Sequence, residues 1–419
     1  MQIKKRRVVI TGIGAVTPVG NTMTDTWNGI VEGKKTVGEV TIFNAKKFSC
    51  NFAYEVRDFE LNQHGLENAE HKKMLNRAGE FGWNAAIEAA TQSGILEAGK
   101  ITPTRTAVCL GVGVGSPKLE WHNKVYLADA FEGDHYTPYH RKHYPNTLST
   151  LVANLIGAKG ATATIHTACA SSGQALGEAF DMIASGDYDV VMTGGADSMI
   201  NPFQMAGFCL LGALSSRTNS PESASRPFDA SRDGFVLGEG ACMFVFEDFD
   251  HAVARAAPIL GEICGYGVTE SAYRITDLHP EGRGVIEAME MALLDARISP
   301  AEVGYINAHG TSTLLNDKIE SLAISRVFNK EACRTKVSST KSTTGHLISA
   351  AGALEFAVAM YSLRHKVYPP SVNLTNQDPA CDITLTPSEP TTMTSRYALS
   401  NSVGFGGSNT SLVARSVQP

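Results

Sequence analysis

The chain has 419 residues, of which 43% are hydrophobic, and this composition is typical of a protein with a large buried core. Its formal net charge of −6 argues against general nucleic-acid binding, and no apolar run approaches the ~20 residues of a membrane-spanning helix. Its eight cysteines form no CxxC pair, so neither a zinc motif nor a redox pair is predicted. Unpaired thiols of this kind are typical of a cytoplasmic protein.

The first residues superficially resemble a secretory signal, because the basic residues 4–7 precede the apolar residues 8–16. The apolar stretch is short and is interrupted by Gly12 and Gly14. It is better explained as a first buried strand, and the chain is therefore expected to be cytoplasmic.

The rest of the sequence alternates strand-like and helix-like segments. Helices that alternate with buried strands predict a layered α/β fold. Strands are predicted at residues 7–13, 107–112, 163–167, 190–194, 242–247, 259–268, 303–308, 336–339, 383–385 and 397–402. Helices are predicted at residues 22–32, 78–93, 171–185, 284–296, 318–328 and 352–364.

One thiol occupies the most informative position in the sequence. Cys169 lies between an apolar, strand-like run at residues 162–167 and a helix-like run at residues 171–185. A helix N-terminus carries partial positive charge and unpaired N–H groups, which stabilise a thiolate and can hold an oxyanion. A small buried structural cysteine is the alternative, because free cysteines are often buried.

Two distant histidines support the catalytic interpretation. His309 follows the strand-like residues 303–306 and His346 follows residues 337–340, and both lie among Gly, Ser and Thr, as in loops. One such histidine alone would usually be a turn or surface residue. A cysteine at a strand–helix junction with two histidines at strand ends is the arrangement expected for nucleophilic catalysis.

With these motifs the chain resembles the β-ketoacyl-acyl carrier protein synthases of the synthase II type, which are condensing enzymes with the thiolase fold. The resemblance covers almost the whole chain, because further motifs lie before, between and after Cys169 and the two histidines. These other matching segments are residues 6–12 (RRVVITG), 225–229 (SRPFD), 232–240 (RDGFVLGEG) and 401–409 (NSVGFGGSN).

The second histidine indicates the class of reaction. Relatives that start from acyl-CoA usually carry Asn where His346 stands. Thiolases use a second cysteine in a C-terminal Cys-x-Gly motif, and the loop with Gly406 and Gly407 contains no cysteine. The Cys-His-His set therefore implies decarboxylative condensation.

The resemblance implies an α/β protein with the thiolase-like, five-layered αβαβα fold, built from two similar halves. Residues 1–256 would form the N-terminal half with the nucleophilic cysteine, and residues 257–419 the C-terminal half with the catalytic histidines. No polar or Pro-rich linker is expected between them, since strand-like residues continue on both sides.

The implied activity is that of a β-ketoacyl-acyl carrier protein synthase. Such an acyltransferase condenses malonyl-carrier with a cysteine-bound acyl chain and gives a β-ketoacyl-carrier longer by two carbons. Neither a metal nor another cofactor is implied, because phosphopantetheine arrives on the acyl carrier protein. A silent chain-length subunit and an acyl-CoA thiolase or hydrolase are the alternatives; the retained Cys169 argues against the first, and His346 against the second.

The resemblance also assigns catalytic roles. Cys169 is the nucleophile, and its N–H would form the oxyanion hole with the N–H of Phe405, whose ring would gate the site. His309 and His346 would donate hydrogen bonds from their ε nitrogens to the malonyl thioester. Lys341 would organise the histidine loops from behind.

Further residues are assigned to neighbouring positions. Glu320 is expected to be the ion-pair partner of Lys341. Thr311 and Thr313 would hydrogen-bond the pantetheine arm. The residues that match the acyl tunnel of the family are Val114, Phe208 and Val403.

The substrate pathway is suggested by departures from the family. Residues 140–146 read HRKHYPN where synthase II enzymes carry an apolar segment, and Val403 stands where an aromatic residue is common. These departures favour a specialised type II system that builds polyene or polyketide chains. Housekeeping fatty-acid elongation is the alternative.

Partner surfaces follow from the same resemblance. Acyl carrier proteins are strongly acidic, so a basic patch is expected on this acidic chain. The alternative explanation for the basic residues named below is that they form a solvated helix end. A homodimer, or a heterodimer with a homologous chain-length factor, is expected, without nucleic acid. The basic residues expected to bind the carrier are Lys72, Lys73 and Arg77.

Overall fold

The structure is a computed structural model, and it describes residues 5–66, 69–113, 144–329 and 334–417. Across these ranges, no helix combines the length and the apolar character needed to cross a membrane. The strands are β1 (Val8–Val16), β2 (Gly38–Glu39), β3 (Phe52–Ala53), β4 (Thr106–Val112), β5 (Thr162–Ile165), β6 (Val190–Ser198), β7 (Glu239–Asp248), β8 (Gly261–Glu270), β9 (Val303–Asn307), β10 (Lys336–Ser338), β11 (Val367–Tyr368), β12 (Thr391–Thr392), β13 (Tyr397–Val403) and β14 (Ser408–Arg415). The helices are α1 (Met23–Val31), α2 (Ala69–Met74), α3 (Arg77–Ser93), α4 (Thr147–Ile156), α5 (Ser171–Ala184), α6 (Pro202–Leu210), α7 (Phe249–Ala254), α8 (Arg283–Ala296), α9 (Leu314–Phe328), α10 (Lys341–Thr344) and α11 (Ala351–His365).

The main sheet has the strand order β10-β9-β13-β14-β8-β1-β7-β6-β4-β5. In the N-terminal half, β5, β4 and β6 are parallel neighbours, and β6, β7 and β1 are antiparallel neighbours. The C-terminal half repeats this pattern, because β10, β9 and β13 are parallel and β13, β14 and β8 are antiparallel. The halves meet where β1 pairs with β8, with Val8 opposite Ile263. The two halves of the sheet are therefore similar, as expected.

Helices cover both faces of each half. Helix α3 packs on β1, β7 and β6, and α8 packs on β8 and β14, so these two helices form outer layers. Helices α5 and α11 contact strands of both halves and each other, so they form the middle layer. The result is the expected αβαβα order. The domain boundary after residue 256 stays a prediction.

The two central helices begin close together because glycine takes the place of larger residues between them. A Cβ on Gly173 would lie 2.4 Å from Thr410 Oγ1, and a Cβ on Gly352 would lie 2.8 Å from the Gly173 nitrogen. Both distances are shorter than real Cβ contacts. A side chain at Gly352 would therefore push the two helices apart, and one at Gly173 would push α5 away from β14. The segments just before these helices contain Cys169 and His346, which are thereby brought together.

Several predicted elements differ from the structure. The helix predicted from residue 318 begins at Leu314, and the first strand extends to Val16. The strand predicted at residues 383–385 is wrong, because Leu385 forms only an isolated bridge with Val337. The sequence did not predict the helices α4 and α6 or the strand β14.

Candidate active site

The nucleophile candidate lies in a strained turn. Cys169 is buried in a short 3-10 turn, Ala168–Ala170, directly before α5. Ala168 has φ +47°, in the left-handed region that an alanine rarely adopts, and such strain occurs at functional sites. Ser171 holds the turn, because its hydroxyl donates to the Ala168 carbonyl at 2.6 Å and accepts from the Thr167 N–H at 2.9 Å.

The Cys169 thiol is not pre-ionised by its surroundings. Burial raises the pKa of this thiol to about 12, although the Lys341 charge and the Phe405 N–H both lower it. The sequence-based expectation that a helix N-terminus stabilises the thiolate is therefore corrected for the resting enzyme. Desolvation exceeds the favourable local field, and the sulfur carries its proton at neutral pH.

His346 contacts the nucleophile directly. Its Nε2 lies 3.1 Å from Cys169 Sγ, and its Nδ1 accepts a hydrogen bond from the Ile348 N–H at 3.3 Å. Because Nδ1 accepts, the proton of the neutral ring is on Nε2 and points to the sulfur. Burial and the nearby Lys341 charge hold the His346 pKa well below its usual range, so the ring is neutral. The ring of Phe235 packs edge-on against it, with centroids 5.4 Å apart.

His309 is oriented in the same way by a different partner. The Nζ of Lys341 lies 3.5 Å from His309 Nδ1, and an ammonium can only donate. The proton of the neutral His309 ring is therefore also on Nε2. Burial, Lys341 and His346 hold the His309 pKa well below its usual range. The two imidazole rings are nearly perpendicular, at 81°, with centroids 5.2 Å apart.

Lys341 is buried and is paired with an unexpected carboxylate. Its ammonium contacts the Glu355 carboxylate and donates to the His309 carbonyl oxygen. The expectation that Glu320 is the partner of Lys341 is wrong, because Glu355 of α11 holds this position. Burial raises the Glu355 pKa to about 7, and Lys341 acts in the opposite direction.

Glu320 supports the first histidine loop through the backbone instead. Its carboxylate oxygens accept hydrogen bonds from the N–H groups of His309 and Gly310, both at 2.8 Å. The Asn401 side chain donates to it at 3.3 Å. Glu320 therefore stays behind the histidine loop, as expected, but it shapes the backbone and does not neutralise Lys341.

A cavity of about 220 Å³ connects these groups to the surface. Cys169, His309 and His346 line its inner end. Of the three residues expected in the acyl tunnel, Phe208 and Val403 line this cavity, whereas Val114 lies outside the described residues. Other lining residues are Met199, Arg274, Ile275, Leu315 and Phe405, and the pair Thr311 and Thr313.

Thr311 and Thr313 are coupled to each other. Their hydroxyl oxygens lie 2.9 Å apart, and Thr313 also accepts from the Asn316 N–H as the N-cap of α9. Phe405, on the Gly-rich loop opposite, is 38% exposed. The N–H of the next residue, Gly406, donates to the Ile275 carbonyl at 2.7 Å, so the two loops at the cavity entrance touch.

Two family models match the chain. The beta-ketoacyl synthase N-terminal domain matches residues 5–252, and the beta-ketoacyl synthase C-terminal domain matches residues 260–375. The chain belongs to the β-ketoacyl synthase family. The synthase is 39% identical over 416 residues to the 3-oxoacyl-acyl carrier protein synthase 2 of Synechocystis, and the match covers 99% of each chain.

Solved structures show the same relationship. The ketosynthase/chain length factor for ishigamide matches with TM-score 0.90 and 30% identity, over 99% of this chain and 100% of that one. A type II polyketide synthase acyl-carrier protein in complex with its ketosynthase matches with TM-score 0.88 and 31% identity, with the same coverage. The synthase is therefore a thiolase-like condensing acyltransferase, and its family works without a free cofactor.

The Cys-His-His group of this synthase also has the composition of a metal site. Its sulfur and imidazole nitrogens lie within 4.8 Å of one another, and zinc accepts such ligands. However, Ile348 and Lys341 set tautomers in which the nitrogens near the sulfur carry protons. The Lys341 ammonium also adds positive charge beside His309. The group therefore fits two hydrogen-bond donors better than a cation.

The residues expected to bind the carrier are not equivalent. Lys72 and Lys73 are exposed on α2, and Lys72 Nζ donates to Gln63 at 3.2 Å. The Arg77 guanidinium instead donates to both carboxylate oxygens of the buried Glu239, at 2.8 and 2.6 Å. Arg77 therefore makes a structural ion pair, and its expected place in a basic carrier patch stays a prediction.

Sequence reasoning missed three residues of this site. Glu355 was detectable as a carboxylate within the apolar helix segment 351–363, because a buried charge needs a partner. Phe235 belongs to the motif at residues 232–240 but carries no signal that places it beside His346. His166 lies three positions before Cys169 and lines the cavity, and only the structure shows this.

Proposed function

We propose that this synthase forms an acyl-Cys169 enzyme and condenses it with malonyl-carrier in a specialised type II polyene or polyketide system. One observation carries the catalytic part of the proposal: two neutral imidazoles, each with its proton on Nε2, converge on one buried thiol. Such a pair can hold a developing oxyanion without proton transfer.

In the first step, Cys169 Sγ attacks the thioester carbonyl of the acyl-carrier. The N–H groups of Cys169 and Phe405 are proposed to hold the oxyanion. When the carbon–sulfur bond to the carrier breaks, the thiol proton of Cys169 goes to the departing pantetheine thiolate. Because the Cys169 pKa is raised, this proton leaves during the attack and not in the resting enzyme.

In the second step, the malonyl thioester carbonyl accepts hydrogen bonds from His309 and His346. Carbon dioxide leaves, and the electron pair of the broken bond forms an enolate whose oxygen these donors stabilise. The enolate carbon attacks the acyl group on Cys169. The thiolate released takes one proton from solvent, and the product is a β-ketoacyl-carrier with two more carbons.

The remaining expected residues are proposed to prepare the site. Lys341 keeps the His309 tautomer, and Glu320 fixes the backbone of the same loop. The paired hydroxyls of Thr311 and Thr313 suit the amide and hydroxyl groups of a pantetheine arm. Phe208 and Val403 are proposed to contact the acyl chain, with Phe405 as the gate.

The specialised pathway rests on the polar segment at residues 140–146. The part of it that the structure describes begins at Tyr144, whose side chain is 59% exposed. The partner subunit, a second copy or a chain-length factor, is proposed to lie at β5, because this edge strand leaves Thr162 exposed. A cytoplasmic location and carrier binding by Lys72, Lys73 and Arg77 also stay proposals.

The test combines acyl-carrier and malonyl-carrier of defined chains with the synthase or its Cys169→Ala variant, and reads the products by intact mass. We expect an elongated β-ketoacyl-carrier with the native enzyme and none with the variant. Products restricted to saturated long chains would contradict the specialised pathway. If the folded enzyme forms neither acyl-enzyme nor product, co-expression with a homologous subunit decides whether a partner is required or the proposal fails.

A further inference from the structure

A second cavity, of about 230 Å³, is lined by residues of the helices α1 and α11. None of the residues that line it also lines the cavity with Cys169. Its base is formed by side chains that are buried or half-buried, and its edge by exposed ones. The base residues are Ile13, Trp27, Leu260, Met360 and Tyr361, and the edge residues are Thr24, Asn28, Gln92, Arg364 and His365. This second cavity therefore has an apolar, aromatic base and a polar edge.

Three aromatic rings of the second cavity pack on one another. The ring of His365 is stacked on Trp27, with centroids 5.4 Å apart, and on Tyr361, also at 5.4 Å. The rings of Trp27 and Tyr361 are tilted against each other, with centroids 5.7 Å apart. Because each ring contacts the other two, their positions are fixed by packing, and the wall they form is present before any ligand binds.

The two buried rings carry hydrogen-bond donors that the protein does not use. Trp27 is 5% exposed and Tyr361 is 9% exposed. Within the residues that the structure describes, the indole N–H of Trp27 and the phenol O–H of Tyr361 have no hydrogen-bond partner, and neither atom is sealed from solvent. Both donors therefore open onto the second cavity. Burial, and then the Glu88 charge, raise the Tyr361 pKa to about 12, so the phenol keeps its proton and can donate.

The edge of the second cavity carries a positive charge. Arg364 is exposed and has no ion pair or hydrogen bond in the part of the chain that the structure describes. Burial and the Arg364 charge lower the His365 pKa, so this imidazole is neutral at neutral pH. Gln92 Oε1 accepts from the Ile13 N–H at 2.8 Å, which leaves the amide NH₂ of Gln92 as a further donor. No lining residue is Asp or Glu, so the groups available to a ligand favour an anion.

We propose that the second cavity binds a small organic carboxylate with an apolar body. The Arg364 guanidinium suits a carboxylate, and the donors of Trp27 and Tyr361 suit its oxygens. The apolar body would cover Ile13, Leu260 and Met360, which an inorganic anion such as phosphate would leave uncovered. Because the volume is below the ~300–1,000 Å³ of pockets for drug-sized ligands, the ligand has about ten non-hydrogen atoms. This binding does not depend on the proposed condensation.

Two matched probes test the proposal. Benzoate is a carboxylate on a flat apolar ring, and benzamide has the same shape without the charge. Isothermal titration calorimetry of the native synthase at low salt measures the Kd of each. We expect a Kd of about 1 mM for benzoate, as for a small ligand in a preformed pocket. Benzamide should bind about tenfold more weakly, because hydrogen bonds to a charged group are the stronger ones.

The variants locate the site. Arg364→Gln should weaken benzoate binding about tenfold and leave benzamide binding unchanged. Tyr361→Phe keeps the ring and should weaken the binding of both probes by a few-fold. Arg274→Gln, which removes a charge from the entrance of the active-site cavity, is the matched control and should leave benzoate binding unchanged. The proposal is overturned if benzoate does not bind, if it binds no more tightly than benzamide, or if Arg274→Gln abolishes binding and Arg364→Gln does not.

Discussion

The inner end of the cavity and its entrance are built on different principles. We call the inner group the catalytic floor; it consists of Cys169, His309, Lys341, His346 and Glu355, all buried. The entrance is formed by Arg274, Ile275, Leu315 and Phe405, all exposed, with Ile275 at 82%. In the floor the polar groups have specific buried partners, whereas the entrance loops are joined by backbone hydrogen bonds, from Gly406 to the Ile275 carbonyl and from Ser271 to the Gly407 carbonyl.

The catalytic floor and the entrance are therefore expected to control different properties, the reaction in the first case and the choice of substrate in the second. Burial makes each change in the floor costly, because an unpaired charge or donor left there cannot be compensated by water. At the entrance, solvent replaces any lost contact. Substitutions in the floor should therefore change the reaction or the stability of the fold, and those near the entrance should change substrate use.

The largest effect is expected for Lys341→Met, because it leaves the Glu355 carboxylate buried without its partner. Removing one member of a buried pair costs about 3–5 kcal/mol of unfolding free energy. The double variant Lys341→Met with Glu355→Gln should recover most of this stability but not the activity. Denaturant unfolding measures both, and equal stabilities of the single and double variants would mean that the pair is not the cause.

The next largest effect concerns the catalytic donors. His346→Ala removes one of two preorganised donors, so we expect condensation to fall by about 10²–10³-fold. Acylation of Cys169 should be affected much less, because its oxyanion is proposed to be held by backbone N–H groups. Separate measurement of acyl-enzyme formation and of carbon dioxide release distinguishes the two steps. Equal losses in both would contradict this division of roles.

The ionisation of the Cys169 thiol can be tested in the native enzyme by varying the pH. The Cys169 pKa is raised from 9.0 to about 12, so the reactive thiolate is a small fraction at neutral pH and grows as pH rises. Alkylation of Cys169 by iodoacetamide should therefore accelerate about tenfold per pH unit between pH 7 and 9, without a plateau. A plateau near pH 7 would show that the local field exceeds desolvation after all.

The smallest effects are expected at the surface. Replacing Lys72 and Lys73 with Ala should raise KM for acyl-carrier by a few-fold at low salt, less at high salt, and leave turnover of a small pantetheine thioester unchanged. Arg77→Ala is the contrasting variant. It should lower the unfolding free energy by about 2 kcal/mol, because it leaves the buried Glu239 carboxylate without its guanidinium. Steady-state kinetics and thermal unfolding together separate the two outcomes.

The sequence predicted the three catalytic side chains of the floor better than the residues that support them. Cys169, His309 and His346 lie in Gly-, Ser- and Thr-rich motifs whose composition indicates loops at strand ends. The composition of these motifs does not indicate whether Glu320 or Glu355 is the partner of Lys341. The partner depends on how α11 packs on α5 and the sheet, which local sequence does not encode.

The missed strand β14 shows a similar limit. Residues 408–411 read SNTS, which is typical of a turn, yet they are central in the sheet. Contacts distant in sequence hold part of this segment, such as the hydrogen bond that the Ser411 hydroxyl donates to Asn401. Likewise, the spacing of Lys72, Lys73 and Arg77 suggests one basic patch, and only the structure shows that Arg77 is also paired with Glu239.

The glycine contact between α5 and α11 makes activity a reporter of assembly. The thiol comes from the N-terminal half of the sheet and both imidazoles from the C-terminal half, and they meet because Gly173 and Gly352 let the helices approach. Neither half alone can contain a working site. Loss of activity on heating should therefore follow the separation of the halves, even where each keeps its own strands paired.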